Sequence, residues 1–434
     1  MRALGLGLAL IGGCLLAGCD GNPHPPPKSN FGTNPRLPAP DAQTIPTMNV
    51  NSTAPWPAGK SPTAPQGFTV TRYAANLAHP RWVYVLPNGD VLVAEAAPAP
   101  VPVDSLSHAV QHWVDEKNGS APPSANQITL LRDTDGDGKP DVRTVFLKGL
   151  NQPFGMLLLN GTFYVADTDA VLRFPYTEGE TSITAPGEKI LDIPVGHHWT
   201  RNIVAGPDGK KLYVSVGSGS NIADDGIAAE KRRADILEIN PDGSGERIYA
   251  SGLRNPNGMG WEPVTHVLWV AVNERDMLGD DLVPDYMTGV KPGAFYGWPW
   301  SYWGQHVDER VQPQNPAMVA RAIAPDYALG AHTASIGLAF YTAPAFPAHY
   351  RGGVFIGQHG SWNRAGMTGY KVVFVPFKDG KPDGEPEDFL TGFLADAKTG
   401  LAYGRPVGVA VDKSGALLVA DDVGNIVWRV AAGK

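Results

Sequence analysis

Several short runs in this sequence group titratable and hydrogen-bonding side chains just ahead of an apolar stretch. Gly196-His197-His198-Trp199-Thr200-Arg201-Asn202 stands immediately before Ile203-Val204-Ala205-Gly206-Pro207-Asp208-Gly209. A neutral imidazole at such a place can take a proton from a substrate hydroxyl near pH 7. The plainer reading is a histidine pair that caps loops. Gly252-Leu253-Arg254-Asn255-Pro256-Asn257-Gly258 offers a permanent planar cation suited to carboxylates and developing oxyanions, or to a sheet-edge ion pair. Val272-Asn273-Glu274-Arg275-Asp276-Met277-Leu278-Gly279-Asp280-Asp281 is dense in the oxygen ligands that calcium favours; it also reads as an acidic solvated loop. Gly330-Ala331-His332-Thr333-Ala334 and Gln358-His359-Gly360-Ser361-Trp362-Asn363-Arg364 open and close a later hairpin, and Gly404-Arg405-Pro406 heads the last one.

A separate run, Asp133-Thr134-Asp135-Gly136-Asp137-Gly138-Lys139-Pro140-Asp141, has the oxygen spacing of a calcium loop, with ligand positions at Asp133, Asp135, Asp137, Lys139 and Asp141. An EF-hand would place a glutamate where Thr144 stands and would flank the loop with helices. Neither feature is present, so a structural calcium in an inter-strand loop is expected, against a plain Asp-Gly turn.

The elements that must position these residues repeat along the chain. A Pro- or Gly-containing turn leads into an apolar strand, a tight turn and a second apolar strand. Six such units run Pro80 to Glu95, Pro153 to Ala166, Arg201 to Ser215, Pro256 to Ala271, Ser335 to Gly357 and Pro406 to Ala420. Lone hairpins are marginal in water, but arranged radially they bury their faces on one another. The fold expected is therefore all-β, a six-bladed β-propeller over residues 67–434. A β-sandwich would not need six similar units.

Composition agrees. Gly (51) and Pro (40) exceed a fifth of the 434 residues and only 18% are charged, which favours many turns and short strands over long helices. The net charge of −8, without a basic stripe, excludes nucleic acid as a natural partner. Residues 1–18 read as an export signal, and Leu16-Ala17-Gly18-Cys19 resembles a bacterial lipobox, with Cys19 as the lipidation site. An ordinary signal peptide with a chance cysteine is the alternative. Residues 19–66, rich in Pro, Asn, Ser and Thr, are expected to form a disordered tether. A shorter Pro- and Ser-rich insert at about 98–126 reads as a loop.

His198, Arg254, His332 and Arg405 all fall just before the first strand of their own unit. In a radial fold such positions converge on one mouth, and cationic groups gathered there in an acidic chain would bind an anion. Taken together, His-Trp-Thr-Arg-Asn before Gly-Pro-Asp-Gly, Gly-Leu-Arg-Asn-Pro, Asn-Glu-Arg-Asp with Gly-Asp-Asp, Tyr296-Gly297-Trp298-Pro299 and His-Gly-Ser-Trp-Asn-Arg resemble the soluble aldose dehydrogenases that use pyrroloquinoline quinone, most closely the sorbosone dehydrogenase branch. The resemblance spans about residues 67 to 432. It implies a six-bladed propeller, pyrroloquinoline quinone and Ca²⁺ as cofactors, and oxidation of a sugar or sugar-derived aldehyde. It puts the catalytic base on His198. Arg254 and Asn255 fall to the substrate oxygen and the cofactor quinone oxygens. Cofactor calcium falls near Arg275 and Asp276, with Glu274 adjacent, held largely by main-chain carbonyls. Arg405 falls to a cofactor carboxylate, and further cofactor contacts to His332 or Thr333 and to His359. Ser218 departs from the aspartate that the glucose oxidisers carry beside the base, which leaves His198 either less basic or oriented by another carboxylate such as Asp224 or Asp225.

These readings describe an exported, lipid-anchored enzyme on the periplasmic side of a bacterial membrane. Its partners would be a small sugar or aldehyde, a respiratory quinone or cytochrome, and the membrane itself. Two other classes stay open: a calcium-dependent propeller lactonase or hydrolase, and a non-catalytic binding propeller.

Overall fold

The structure is a computed structural model and describes residues 23–433 apart from Ile45, 101–102 and 104–105. The export signal and Cys19 lie outside the described residues. Six four-stranded antiparallel sheets follow one another along the chain. The first is built from Pro80–Val85, Val91–Glu95, Gln127–Arg132 and Val142–Lys148, and the second from Gly155–Leu159, Thr162–Ala166, Ala170–Pro175 and Glu188–Asp192. The third comprises Ile203–Ala205, Leu212–Val216, Asp235–Ile239 and Arg247–Ser251; the fourth comprises Asn255–Trp261, Leu268–Asn273, Pro284–Gly289 and Tyr327–Ala331. The fifth contains Ser335–Phe340, Val354–Gln358, Lys371–Val375 and Glu387–Leu390. In the sixth, Pro406–Val411, Leu417–Asp421 and Ile426–Ala432 are completed by Phe68–Ala74 from the other end of the chain.

Each hairpin expected from the sequence supplies the first two strands of one sheet. The first strands pack against one another in chain order, and the last packs against the first. That packing accounts for a recurring glycine. A Cβ on Gly155, Gly258, Gly337 or Gly408 would stand 2.2–2.8 Å from main-chain atoms of the next sheet's first strand. The second strands are the core: Val91–Glu95, Leu212–Val216 and Leu417–Asp421 are buried at every position. Each fully buried Val, Leu or Ile there contributes roughly 1.5–3 kcal/mol.

The expected disordered tether is not seen over the described part of residues 19–66. Residues 23–66 form a strap laid across the sheets. Phe31–Gly32 extends the fourth sheet as a fifth strand beside Tyr327–Ala331, and Ser52–Thr53 pairs with Leu401–Ala402. Asn30 is fully buried, donating to Asp281 O at 2.8 Å and accepting from Ala331 N at 2.8 Å. Trp56 packs on Trp428 and Phe393, and its indole N–H reaches Asp421 Oδ2 at 2.7 Å. Average composition hid these few anchors, and a proline-rich chain loses less entropy when ordered. The insert at 98–126 also differs from a loop. It holds a helix, Leu106–Asn118, that turns Val114 and Asn118 inward.

Asn30→Ala leaves Asp281 O and Ala331 N without their partner, so it should cost about 1–3 kcal/mol. Denaturant unfolding checks this: a lowered midpoint supports the strap, and an unchanged midpoint is what a disordered tether would give.

Candidate active site

The chain enters every sheet by its first strand, so the residues just ahead of those strands share one end of the ring. Two adjoining recesses open there, of about 250 and 590 Å³. The smaller is lined by His198, Arg254, Asn255, Glu274, Asp276, His332, His359 and Arg405, among others. The larger shares His197, His198, Asn255 and His359 with it and adds Arg81, Gln152 and Trp199.

His198 lies in the irregular segment before Ile203–Ala205. Its Nδ1 is 2.9 Å from Ser218 O and 3.0 Å from Ser218 Oγ. A carbonyl oxygen can only accept, so Nδ1 carries the proton and Nε2 keeps the lone pair. The orienting group is therefore the main chain of Ser218, not Asp224 or Asp225. Asp224 is exposed and serves its own turn, receiving Ile222 N at 3.2 Å. Burial, with Arg254 and His197 nearby, holds the His198 imidazole well below the ordinary histidine pKa, so the ring is neutral. A Cβ on Gly217 would sit 2.4 Å from Asn255 Oδ1 and 2.6 Å from His198 Cβ, so only glycine lets the histidine and the amide approach. Arg201, fully buried, braces the segment by donating to His198 O at 2.6 Å and Pro194 O at 3.0 Å. His197 also lines both recesses. Strand alternation would have sent it the other way, but the strand begins only at Ile203.

Arg254 is held by carbonyls on two sides. Nη1 donates to Glu274 O at 2.6 Å, Nε to Asn221 O at 3.2 Å and Nη2 to Asn221 Oδ1 at 2.9 Å. Asn221 Oδ1 also accepts Asp276 N at 3.0 Å, which ties the arginine to the acidic turn. His332 Nδ1 lies 3.2 Å from Asp276 Oδ1, and its Nε2 lies 2.9 Å from Gly279 O. With acceptors at both nitrogens it is an imidazolium. Burial opposes that charge, but the Asp276 carboxylate outweighs it and raises the His332 pKa. Glu274 is pushed up to about 7 and Asp285 to about 6, in both cases chiefly by burial.

Across the recess, Arg405 donates to His359 O and Gly360 O, each at 2.9 Å, and to Ser120 Oγ at 3.1 Å. His359 Nε2 meets Asp422 Oδ2 at 2.8 Å, and Arg81 and His79 face the same carboxylate. Burial and Arg405 push the His359 pKa down to about 3.

Two expected site residues turn their side chains away from the recess, although the role expected of Arg275 lay in its main-chain carbonyl. The Arg275 side chain is buried 3.2 Å from Asp308 and does not line either recess, because the turn points it away from its neighbours Glu274 and Asp276. Thr333 is buried with its hydroxyl donating to Asp285 Oδ2 at 3.0 Å, behind the wall that His332 faces. Asn221, Asp285, Asp115 and Ser120 border or brace the site and carry no motif that spacing could reveal.

The donor set fits the implied cofactors. Arg254, Arg405 and the charged His332 suit an anion, and Asn255 Oδ1 is buried with no hydrogen-bond partner. Glu274, Asp276, Asp285 and Asn273 make one wall rich in oxygen, as a hard cation requires. The Asp133–Asp141 loop joins the third and fourth strands of the first sheet, at the end away from the mouth. Asp133, Asp135 and Asp141 bring their carboxylates within 4.8 Å of one another, whereas Asp137 is not in that group and instead accepts Lys139 N at 2.8 Å.

With this geometry in place, comparison with known proteins adds the following. Residues 166–361 match the family described as glucose/sorbosone dehydrogenase, and residues 304–432 match one described as TrAA12-like. An uncharacterized protein of Borreliella burgdorferi is 28% identical over 296 residues, 65% of this chain and 76% of that one. An aldose sugar dehydrogenase of Escherichia coli is 30% identical over 120 residues, 27% of this chain and 30% of that one. Among solved structures, the holo pyranose dehydrogenase PQQ domain of Coprinopsis cinerea aligns with a TM-score of 0.69 at 19% identity, covering 88% of this chain and all (100%) of that one. The PQQ-bound aldose sugar dehydrogenase of Streptomyces coelicolor aligns at 0.56 and 18%, covering 85% and 99%. At such identities the structural likeness is one of fold. The matches support the glucose/sorbosone dehydrogenase family; the sorbosone branch is not singled out.

Burial, with Arg254 and His197 nearby, keeps His198 neutral, so acidification protonates it in the unfolded chain first, and stability is lost as pH falls from the ordinary histidine range toward the lower pKa of the folded state. Nitrogen NMR at pH 6 should show the His198 ring uncharged with the proton on Nδ1; half-protonation near 6.5 contradicts the assignment. For the separate loop, Asp133→Asn with Asp135→Asn should lower the melting temperature in calcium but not in chelator. Equal calcium content in variant and parent removes that site.

Proposed function

We propose that this protein, similar to the glucose/sorbosone dehydrogenase family, is a six-bladed propeller oxidoreductase. Its substrate would be a sugar or sugar-derived aldehyde, sorbosone- or aldose-like, oxidised with pyrroloquinoline quinone and calcium. The observation that carries the reading is a neutral imidazole with its free lone pair in the same recess as three cationic groups, Arg254, His332 and Arg405. Arg405 and His332 would hold the anionic cofactor, and oxygens of Glu274 and Asp276 the calcium. When bound, pyrroloquinoline quinone supplies the hydride acceptor and calcium the Lewis acid beside it.

The chain's own residues do the rest. His198 Nε2 accepts the proton of the anomeric or hydrated-aldehyde hydroxyl. Ser218 O stays on Nδ1–H and stabilises the imidazolium that forms, the part a carboxylate plays elsewhere. Arg254, already fixed by Asn221 and Glu274 O, is preorganised to meet negative charge as it develops. Asn255 Oδ1, lacking a donor in the protein, is free to accept from a substrate hydroxyl. Electrons would pass to a respiratory quinone or cytochrome. Export and acylation of Cys19 would hold the enzyme on the periplasmic side of a membrane beside that acceptor.

The experiment is reconstitution of metal-stripped protein with pyrroloquinoline quinone and calcium, followed by dye reduction with a panel of aldoses and ketoaldoses. Turnover requiring both cofactors is expected. Lactone hydrolysis with calcium alone would favour a hydrolase, and neither activity a binding propeller. His198→Ala should lower turnover on the order of 10²–10⁴-fold with cofactor affinity kept. Arg254→Lys retains charge but cannot span Asn221 and Glu274 O, so it should lower turnover as well. Full activity in either variant contradicts the assigned roles.

A further inference from the structure

We propose that the face bearing the two recesses is a membrane-docking face, seated on a phospholipid surface through the outward side of the Leu106–Asn118 helix. The inference rests on the acylation of Cys19 proposed above and not on the sugar chemistry.

The first observation is the helix itself. It is inserted between the second and third strands of the first sheet, at the mouth end, and its inward side closes on the site. Val114 and Asn118 are each only 5% exposed, and both line the smaller recess. Its outward side carries an apolar stripe flanked by the exposed His112 and Glu116: Val110 is 42% and Trp113 51% exposed, and Val103 just before the helix is 63% exposed. Val195, on the rim of the larger recess, is 58% exposed. Among the described residues nine large apolar side chains are exposed, so these four gather nearly half of them at one end. Lys117 stands 5.1 Å from the Trp113 ring centre. A tryptophan and a lysine on one apolar stripe suit the boundary between acyl chains and headgroups, where an amphipathic ring and a snorkelling amine are both satisfied. Among the described residues no helix is long and apolar enough to cross a membrane.

The second observation is independent and concerns the start of the strap. His24 O accepts from Arg364 Nη1 at 2.7 Å, and the same guanidinium holds Asp280 O at 3.0 Å and Asp281 Oδ1 at 2.8 Å. Gly360 and Trp362, in the same loop as Arg364, line the smaller recess. The strap therefore begins on the rim of the mouth. Cys19 precedes His24 by five residues, a reach of at most about 18 Å when fully extended. A folded domain of this length has a radius of gyration of about 20 Å. A lipid on Cys19 can therefore bring the mouth end to the bilayer, but not the opposite end. The short reach and the apolar stripe select the same face. Seated this way, the site would open beside the lipid-soluble carriers that could take its electrons.

The test uses the full chain, exported and processed in a bacterial host and reconstituted into phosphatidylethanolamine/phosphatidylglycerol vesicles. An environment-sensitive fluorophore is attached in separate variants at Glu116→Cys, on the exposed helix side, and at Lys210→Cys. Lys210 lies in the exposed turn between the first two strands of the third sheet, at the far end of the ring. The emission at 116 is expected to shift to the blue and to be quenched by lipids brominated in the acyl chain, with the label at 210 unchanged. Adding Trp113→Asp should abolish the shift at 116 without lowering the melting temperature. The mass of the N-terminal peptide is read in parallel. An acylated protein whose 116 label stays aqueous, or whose two labels respond alike, overturns the docking face alone. A chain without lipid on Cys19 overturns the anchoring and the orientation together.

Discussion

The arrangement depends on closure of the ring of sheets. Phe68–Ala74 pairs with Ile426–Ala432, joining the start of the domain to its end. The first strand of the last sheet then packs against the first strand of the first. Once the ring is closed, the start of every first strand is fixed at one mouth, and residues hundreds of positions apart become neighbours. His198, Arg254, His332 and Arg405 owe their proximity to this constraint and to no local preference of their own. The glycines at Gly155, Gly258, Gly337 and Gly408 are its local signature, since a side chain at any of them would push two first strands apart.

Charge in and behind the walls of the recess is arranged in two opposed groups. On one side Asp276 sits with Arg254 and His332; on the other Asp422 sits with Arg81, His79 and His359. Burial raises the cost of any unpaired charge: Arg254 and Arg405 are held by carbonyls, and Arg81 meets the Asp422 carboxylate. The outcome differs between the three histidines. His332 has acceptors on both nitrogens and carries charge, whereas His198 and His359 each answer to burial and to a nearby arginine and stay neutral. The same residue type thus carries charge in one place and stays neutral in another.

The strap and the insert complete the mouth from outside the ring. Asp41 N and Gln43 N donate to Leu278 O and Met277 O, so the strap pins the turn that supplies Asp276 and Gly279 O to His332. Trp56 reaches Asp421, whose other oxygen receives Arg405 N at 2.8 Å. The insert brings Asp115 to both recesses and Ser120 to Arg405. A segment with the composition of a linker therefore braces both walls of the site, and one that reads as a loop provides a third.

The six hairpins, their chain order and the heads of their first strands were legible in the sequence, because alternating apolar residues and tight turns are encoded locally. Side-chain direction at the turns was not. Glu274, Arg275 and Asp276 are equivalent in sequence, but only the folded turn sends Arg275 to Asp308 and leaves the other two on the recess. Thr333 and His332 diverge likewise, because His332 sits at positive φ (59°), where the chain bends between strands. Asp285 and Asn221 went unnoticed because what matters about them is which main-chain groups they meet, and these include groups from the next sheet, Ser335 N for Asp285 and Asp276 N for Asn221. The tether reading failed because composition measures average burial, while order over residues 23–66 depends on a few anchors such as Asn30 and Trp56. The sequence by itself determined the elements and the residue types that stand at their heads. Only tertiary structure decided which of those side chains face one another, because that choice depends on contacts between segments far apart in the chain.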